Sequence, residues 1–160
     1  MRLNETATMK NSRELRIKAM NEIDALPVRT KQDEMLKRMY DWWGTWQPDY
    51  EGWLKCADSL YAQSAIINAI GGEQKYCDYR VSMKGQRDAC NMEMGPILQA
   101  IVNEDTVALV YDMYLIPKGM KNPPVFKMTV TEFNHFDLVD GKLMVTRLDL
   151  YTDGGNMPKH

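Results

Sequence analysis

The sequence predicts an α+β fold in which N-terminal helices cover one face of a strongly bent antiparallel sheet. Three observations carry this expectation: apolar residues recur at helical spacing between residues 30 and 60, strand-like runs fill residues 97–152, and an Asp140-Gly141 pair separates the last two runs. Helices first and then a long meander is the order that gives a layered α+β domain.

Each element has a local reason. Residues 1–27 carry only a weak helical stripe (Leu15, Ile17, Met20, Ile23) broken at Pro27, and read as an accessory arm or short helix. Thr30 can cap a helix with Asp33 at its N3 position, and Met35, Leu36, Met39, Tyr40 and Trp43 follow at helical spacing up to Gly44. After Gln47-Pro48, Asp49 can cap a second helix that places Trp53, Leu54, Ala57 and Leu60 on one side. Ser64–Ile70 leans to strand and stops at Gly71-Gly72, residues 75–83 show a mixed pattern, and Gly85–Met94 reads as a short helix ending at Gly95-Pro96. The strand runs are Ile97–Val102, Thr106–Ile116, Val125–Val139 and Lys142–Thr152. Asp140-Gly141 supplies the backbone freedom that a two-residue hairpin needs. The expected domain is 28–153, with a tail over 154–160.

Composition narrows the function classes. At 160 residues, with 44 % hydrophobic and 26 % charged residues, the chain fits one folded domain. A net charge of -2 with scattered basic residues offers no surface for nucleic acid, and the longest apolar run, Ala65–Ile70, is too short to span a membrane. The N-terminal residues lack the apolar segment of a secretory signal. Three widely spaced cysteines fit reduced thiols in a cytoplasmic protein, and two histidines, one of them the last residue, leave no metal site to expect. Gly71-Gly72 lacks the later glycine and lysine of a phosphate-binding loop.

Two stretches, Trp46–Ala65 (WQPDYEGWLKCADSLYAQSA) and Phe136–Asp153 (FDLVDGKLMVTRLDLYTD), resemble the helix leading into the first strand and the closing hairpin of the nuclear transport factor 2-like superfamily. That group includes SnoaL-like polyketide cyclases, scytalone dehydratases and ketosteroid isomerases. The resemblance implies a cone-shaped, barrel-like fold around a pocket between the concave sheet face and the helices. It also implies a homodimer through the outer face, a small apolar or aromatic ligand and no cofactor. Applied through strand alternation, it puts Val110, Asp112, Tyr114 and Ile116 in the pocket, with Val130, Glu132 and Asn134 beside them and Met144, Thr146, Leu148 and Leu150 on the last strand. His135, Arg147, Asp149 and Tyr151 then face outward. A one-residue slip would exchange these sets.

Asp112 and Glu132 are the candidate catalytic groups, because a carboxyl held among apolar side chains gains a raised pKa suited to proton transfer. Tyr114 is the candidate donor to a ligand oxygen. Each acid could instead bond a neighbouring Tyr, Asn or backbone amide and serve only the fold. Trp42, Trp43, Trp46, Trp53, Tyr50 and Tyr61 could close the cone over a flat ligand, Trp46 and Tyr61 as binding residues, although the same spacing is the pattern of plain core. Lys118, Ala69 and Trp46 stand where the resemblance would put, in turn, the dehydratases' histidine, the isomerases' proton-shuttling aspartate and the dehydratases' helix aspartate. These departures count against assigning either of those two reactions. The pocket with Asp112 and Glu132 gives the expectation of a proton-transfer enzyme of dehydratase, isomerase or cyclase type acting on an apolar cyclic or carbonyl substrate, the alternative being a ligand-binding or assembly module of the same fold.

Overall fold

A computed structural model describes the backbone of residues 5–153 and the side chains of residues 11–153. The expected tail over 154–160 lies outside the described residues. The elements run α1 (Glu5–Asp24), α2 (Lys31–Gly44), α3 (Tyr50–Leu60), β1 (Tyr61–Ala69), β2 (Gly72–Lys75), α4 (Tyr76–Ala89), β3 (Cys90–Val102), β4 (Thr106–Pro117), β5 (Phe126–Val139) and β6 (Lys142–Thr152).

Local hydrogen bonds start the helices. The Asp33 amide donates to Thr30 Oγ1 at 3.1 Å and the Thr30 amide to Asp33 Oδ2 at 2.9 Å, closing a capping box before α2. At α3 the Gly52 amide donates to Asp49 Oδ1 at 2.8 Å. The helix expected over 85–94 instead occupies Tyr76–Ala89. Its buried face is Tyr76, Tyr79, Met83 and Arg87, while Gly85 points where a Cβ would meet nothing within 4 Å. A glycine on an exposed helix face costs about 1 kcal/mol and does not end the helix. Gly95-Pro96 likewise ends nothing. It lies in a register shift inside β3, an edge strand, where the missing proline N–H is tolerated.

The sheet has the order β2-β1-β6-β5-β4-β3. It is open rather than closed into a barrel, and it is mixed rather than purely antiparallel, because β1 runs parallel to β6. The tight turn between β5 and β6 has positive φ at both Asp140 (51°) and Gly141 (77°), the signature of a primed hairpin turn. Helices α2, α3 and α4 cover the concave face and share one core with it.

Helix α1 packs on α2 and on β3. Half of the expected stripe is off the contact face: Leu15 and Ile17 are exposed, Met20 and Ile23 are half-buried, and Ser12 and Arg16 are buried. Arg16 pairs with Glu93 and donates to the Met94 carbonyl, so a buried ion pair, beside the packing of Ala19 on the core, fastens the arm to the sheet edge. Close approach to α2 depends on Gly44, where a Cβ would sit 2.7 Å from Met20.

A candidate active-site cavity

The concave face and the helices leave a cavity of about 340 Å³. Its walls are Trp42 and Trp46 from α2 and the turn after it, Trp53 from α3, Tyr61 from β1, and Tyr79 and Met83 from α4. The sheet contributes Tyr111 and Met113 from β4, Met128, Val130 and Glu132 from β5, and Leu148 and Leu150 from β6. Methionines on both walls give a surface that can adapt to a ligand's outline. Trp42 and Trp46 meet edge to face with centroids 5.4 Å apart, as do Trp53 and Tyr79 at 6.0 Å.

Behind two of these rings lies a cation. The Arg87 guanidinium is fully buried, 4.4 Å from the Trp46 centroid and 5.2 Å from that of Trp53. It donates to the Pro48 carbonyl at 3.0 Å, and burial draws its pKa down to about 10. Two tryptophans are pinned to the sheet edge by hydrogen bonds, Trp43 Nε1 to the Gly95 carbonyl at 3.1 Å and Trp46 Nε1 to that of Met92 at 2.9 Å.

Glu132 is the acid of this cavity. It is 1 % exposed, and each carboxylate oxygen accepts one bond: Oε2 from the Tyr111 hydroxyl at 3.0 Å and Oε1 from Asn134 Nδ2 at 3.0 Å. Burial pushes its pKa up to about 7, against the opposing pull of these two donors, the Asn134 amide first. Burial, and next the nearby Glu132 charge, hold the phenols of Tyr61, Tyr79 and Tyr111 above their ordinary range, so they remain donors at neutral pH. Among the described residues no group of three or more His, Cys, Asp and Glu converges as a metal site.

Strand register decides which candidates meet. On β5, Val130 and Glu132 reach the cavity, and Asn134 is buried beside Glu132 without lining it. Trp46, Tyr61, Leu148 and Leu150 also line the cavity, whereas Trp43 and Tyr50 do not. On β4 the faces are the reverse of the expected ones. Leu109, Tyr111 and Met113 pair with Glu132, Val130 and Met128 on the concave face, and Val110, Asp112, Tyr114 and Ile116 fall on the other. Asp112 there bonds Lys127 Nζ at 2.8 Å and accepts from the Thr129 hydroxyl at 3.3 Å. Tyr114, paired with Lys127, is on the wrong side to serve the cavity.

On β6, Thr146 is the extra residue of a bulge, since Phe136 pairs with Val145 and His135 with Arg147. The bulge changes the strand's parity, so Leu143 and Val145 are buried before it and Leu148 after it, and Met144 and Thr146 do not line the cavity. His135 faces outward, with Nε2 3.3 Å from Asp149 and Nδ1 3.0 Å from the Thr106 hydroxyl.

Tyr111 and Tyr79 are among the cavity residues that sequence reasoning missed, together with Met83, Met113 and Met128. A signal for Tyr111 was present: positions 107, 109, 111, 113 and 115 form an uncharged apolar and aromatic set, while the alternate set contains Asp112. Tyr79 had none beyond its place in a helix read too late in the chain.

No protein-family model and no curated protein matches the sequence. Solved structures do share the fold. AclR from Streptomyces galilaeus, described as a proposed hydroxylase, is similar with a TM-score of 0.61 at 15 % identity, over 78 % of this chain and 92 % of that one. A proposed polyketide cyclase from Xanthomonas campestris gives 0.59 at 13 % identity, over 76 % and 92 %. A Catenulispora acidiphila protein with a ketosteroid isomerase-like fold gives 0.52 at 16 %, over 72 % and 84 %. At these identities the likeness is one of fold.

Proposed function

This chain has the nuclear transport factor 2-like fold, and from that premise we propose that it is a cofactor-independent enzyme acting by proton transfer on a small, largely apolar cyclic carbonyl compound. The observation that carries the reading is Glu132, a carboxyl with a pKa of about 7 at the wall of an apolar cavity. An ionised carboxylate only accepts hydrogen bonds, and Tyr111 and Asn134 both donate to it, which suits a base. In this reading Glu132 takes a proton from the carbon beside the substrate carbonyl. The C–H electron pair becomes the new C=C bond, and the carbonyl π pair moves to oxygen. Tyr61 and Tyr79, which line the same cavity, are assigned as the phenols that donate to that oxygen. The proton then returns from Glu132 to another substrate atom, leaving the enzyme unchanged.

An open cavity favours this reading over an assembly module whose cone is filled by its own side chains. Self-association of two copies, which the resemblance implies, belongs to the same proposal. The test works without the natural substrate. Small cyclic ketones are incubated with the protein in D₂O, and deuterium entry beside the carbonyl is followed by NMR. Glu132→Gln is expected to slow enzyme-dependent exchange by about 10²–10⁴-fold. Equal exchange by the variant and the wild type would remove Glu132 from the reaction.

A further inference from the structure

The free edge of β3 changes character at the Gly95-Pro96 bulge. Before it, outward backbone carbonyls are taken by side chains: Met92 by Trp46, Met94 by Arg16 and Gly95 by Trp43. After it, no such side chain covers the edge among the described residues, and Leu98, Gln99 and Ile101 are exposed, Leu98 at 57 % and Ile101 at 54 %. Residues 97–102 contain neither a charge nor a proline, the usual devices that keep an edge from pairing.

The backbone geometry of this edge is self-complementary. The Asn103 amide donates to the Thr106 carbonyl at 2.8 Å, so this is a hydrogen-bonded pair of the β3–β4 ladder. Such pairs alternate along an antiparallel ladder, which makes Ile101↔Ala108 and Gln99↔Val110 the next two. The N–H and C=O groups of Ala100 and Val102 therefore point away from β4, toward the free side. With a two-fold axis at Ile101, Ala100 exchanges both backbone bonds with the second copy's Val102, and Val102 with its Ala100. Ile101 then meets its own counterpart in the closely spaced pair, and Gln99 lies opposite the second copy's Asn103, so no like charges are opposed.

The rest of the outer face does not compete well for this contact. Its centre is crossed by a chain of charged and polar groups, Glu73 to Arg147 at 3.1 Å, Arg147 to Asp149 at 2.9 Å and Asp149 to the His135 ring at 3.3 Å, which a face-to-face partner would have to strip of water. We propose that two copies of this chain associate by antiparallel pairing of their β3 edges over residues 99–103, joining two six-stranded sheets into one. The proposal rests on the self-association named above and places its axis at the edge rather than on the face. Five paired residues a side make a small interface, so the association is weak, with a dissociation constant of about micromolar or above.

Sedimentation of the full chain at up to about 100 µM tests it, near the strength expected of a small interface. The expected wild-type mass at the top of that range is twice the 18.5 kDa of one chain. Ala100→Pro removes an outward N–H and leaves the β4 ladder its bonds, so it is expected to be folded by circular dichroism and monomeric. Ile101→Lys, a charge on the axis, is expected to weaken association about tenfold or more and decides the matter if the proline variant fails to fold. Phe133→Lys, on the outer face away from the edge, is expected to dimerise as wild type does. A wild-type monomer throughout the range overturns the proposal. So does a dimer that survives both edge substitutions, and one lost only in Phe133→Lys would mean face-to-face packing instead.

Discussion

Asp112 and Glu132 are both acids within apolar strands, both less than a tenth exposed, and they sit on opposite faces of one sheet in opposite electrostatic settings. Asp112 has a lysine nitrogen at 2.8 Å and a threonine hydroxyl at 3.3 Å. Glu132 has two neutral donors and no cation in bonding distance among the described residues. Burial alone therefore does not prepare a carboxyl for proton transfer. What matters is which groups share the burial: Asp112 has a cation to balance its charge, whereas the neutral donors at Glu132 only partly offset desolvation and leave its proton exchangeable near pH 7.

The largest effect expected to test this contrast is the pH dependence of stability. Glu132 has a folded pKa of about 7, raised from 4.5, so the native state holds the proton more tightly than the unfolded chain does. Its contribution is fully present below pH 4.5 and is lost as pH rises through 7, amounting to on the order of 3 kcal/mol. Urea titrations across this window are expected to show that decline in the wild type and a flatter profile in Glu132→Gln. A profile unchanged by the substitution would mean that Glu132 is not desolvated as its position implies.

Next in size is Gly95→Ala, on the Asp112 side. A Cβ there would lie 2.9 Å from Asp112 Cβ and 3.0 Å from its carbonyl oxygen, which belongs to the ladder and cannot swing away. A loss of about 1–3 kcal/mol is expected in thermal or urea unfolding. The smallest effect is expected of Asp112→Asn. Lys127 is half exposed, so the pair is screened, and stability should change by no more than about 1 kcal/mol. Deuterium exchange by this variant should match the wild type. A large loss of exchange in Asp112→Asn would erase the distinction between the two acids.

Legibility in the sequence followed the range of the forces involved. The Thr30–Asp33 capping box, the Asp49 cap and the Asp140-Gly141 turn could be read from the residue string, because each is made by groups within three residues of one another. The position of α4 was misread because Gly85 looked like a boundary, and its harmlessness depends on facing solvent. The β4 faces were reversed although the apolar alternation was there to see, since the parity was carried over from a resemblance instead of from the strand's own pattern. The β6 faces were half right. The bulge at Thr146 shifts the register midway, and a period-2 rule applied along the whole strand cannot contain such a shift.

By itself, then, the chain determined α2, α3, the strands β1, β4, β5 and β6, the Asp140-Gly141 turn and the inward place of Glu132 on β5, because propensity, capping and alternation act over neighbouring residues. Only the tertiary structure decided that Tyr111, and not Asp112, shares the cavity with Glu132, and that Tyr79 reaches it from a helix. Those facts depend on how β3, β4 and β6 align against their neighbours through two bulged ladders and on where α4 docks. Register and docking are set by the summed packing of the whole core, to which no short stretch of sequence holds the key.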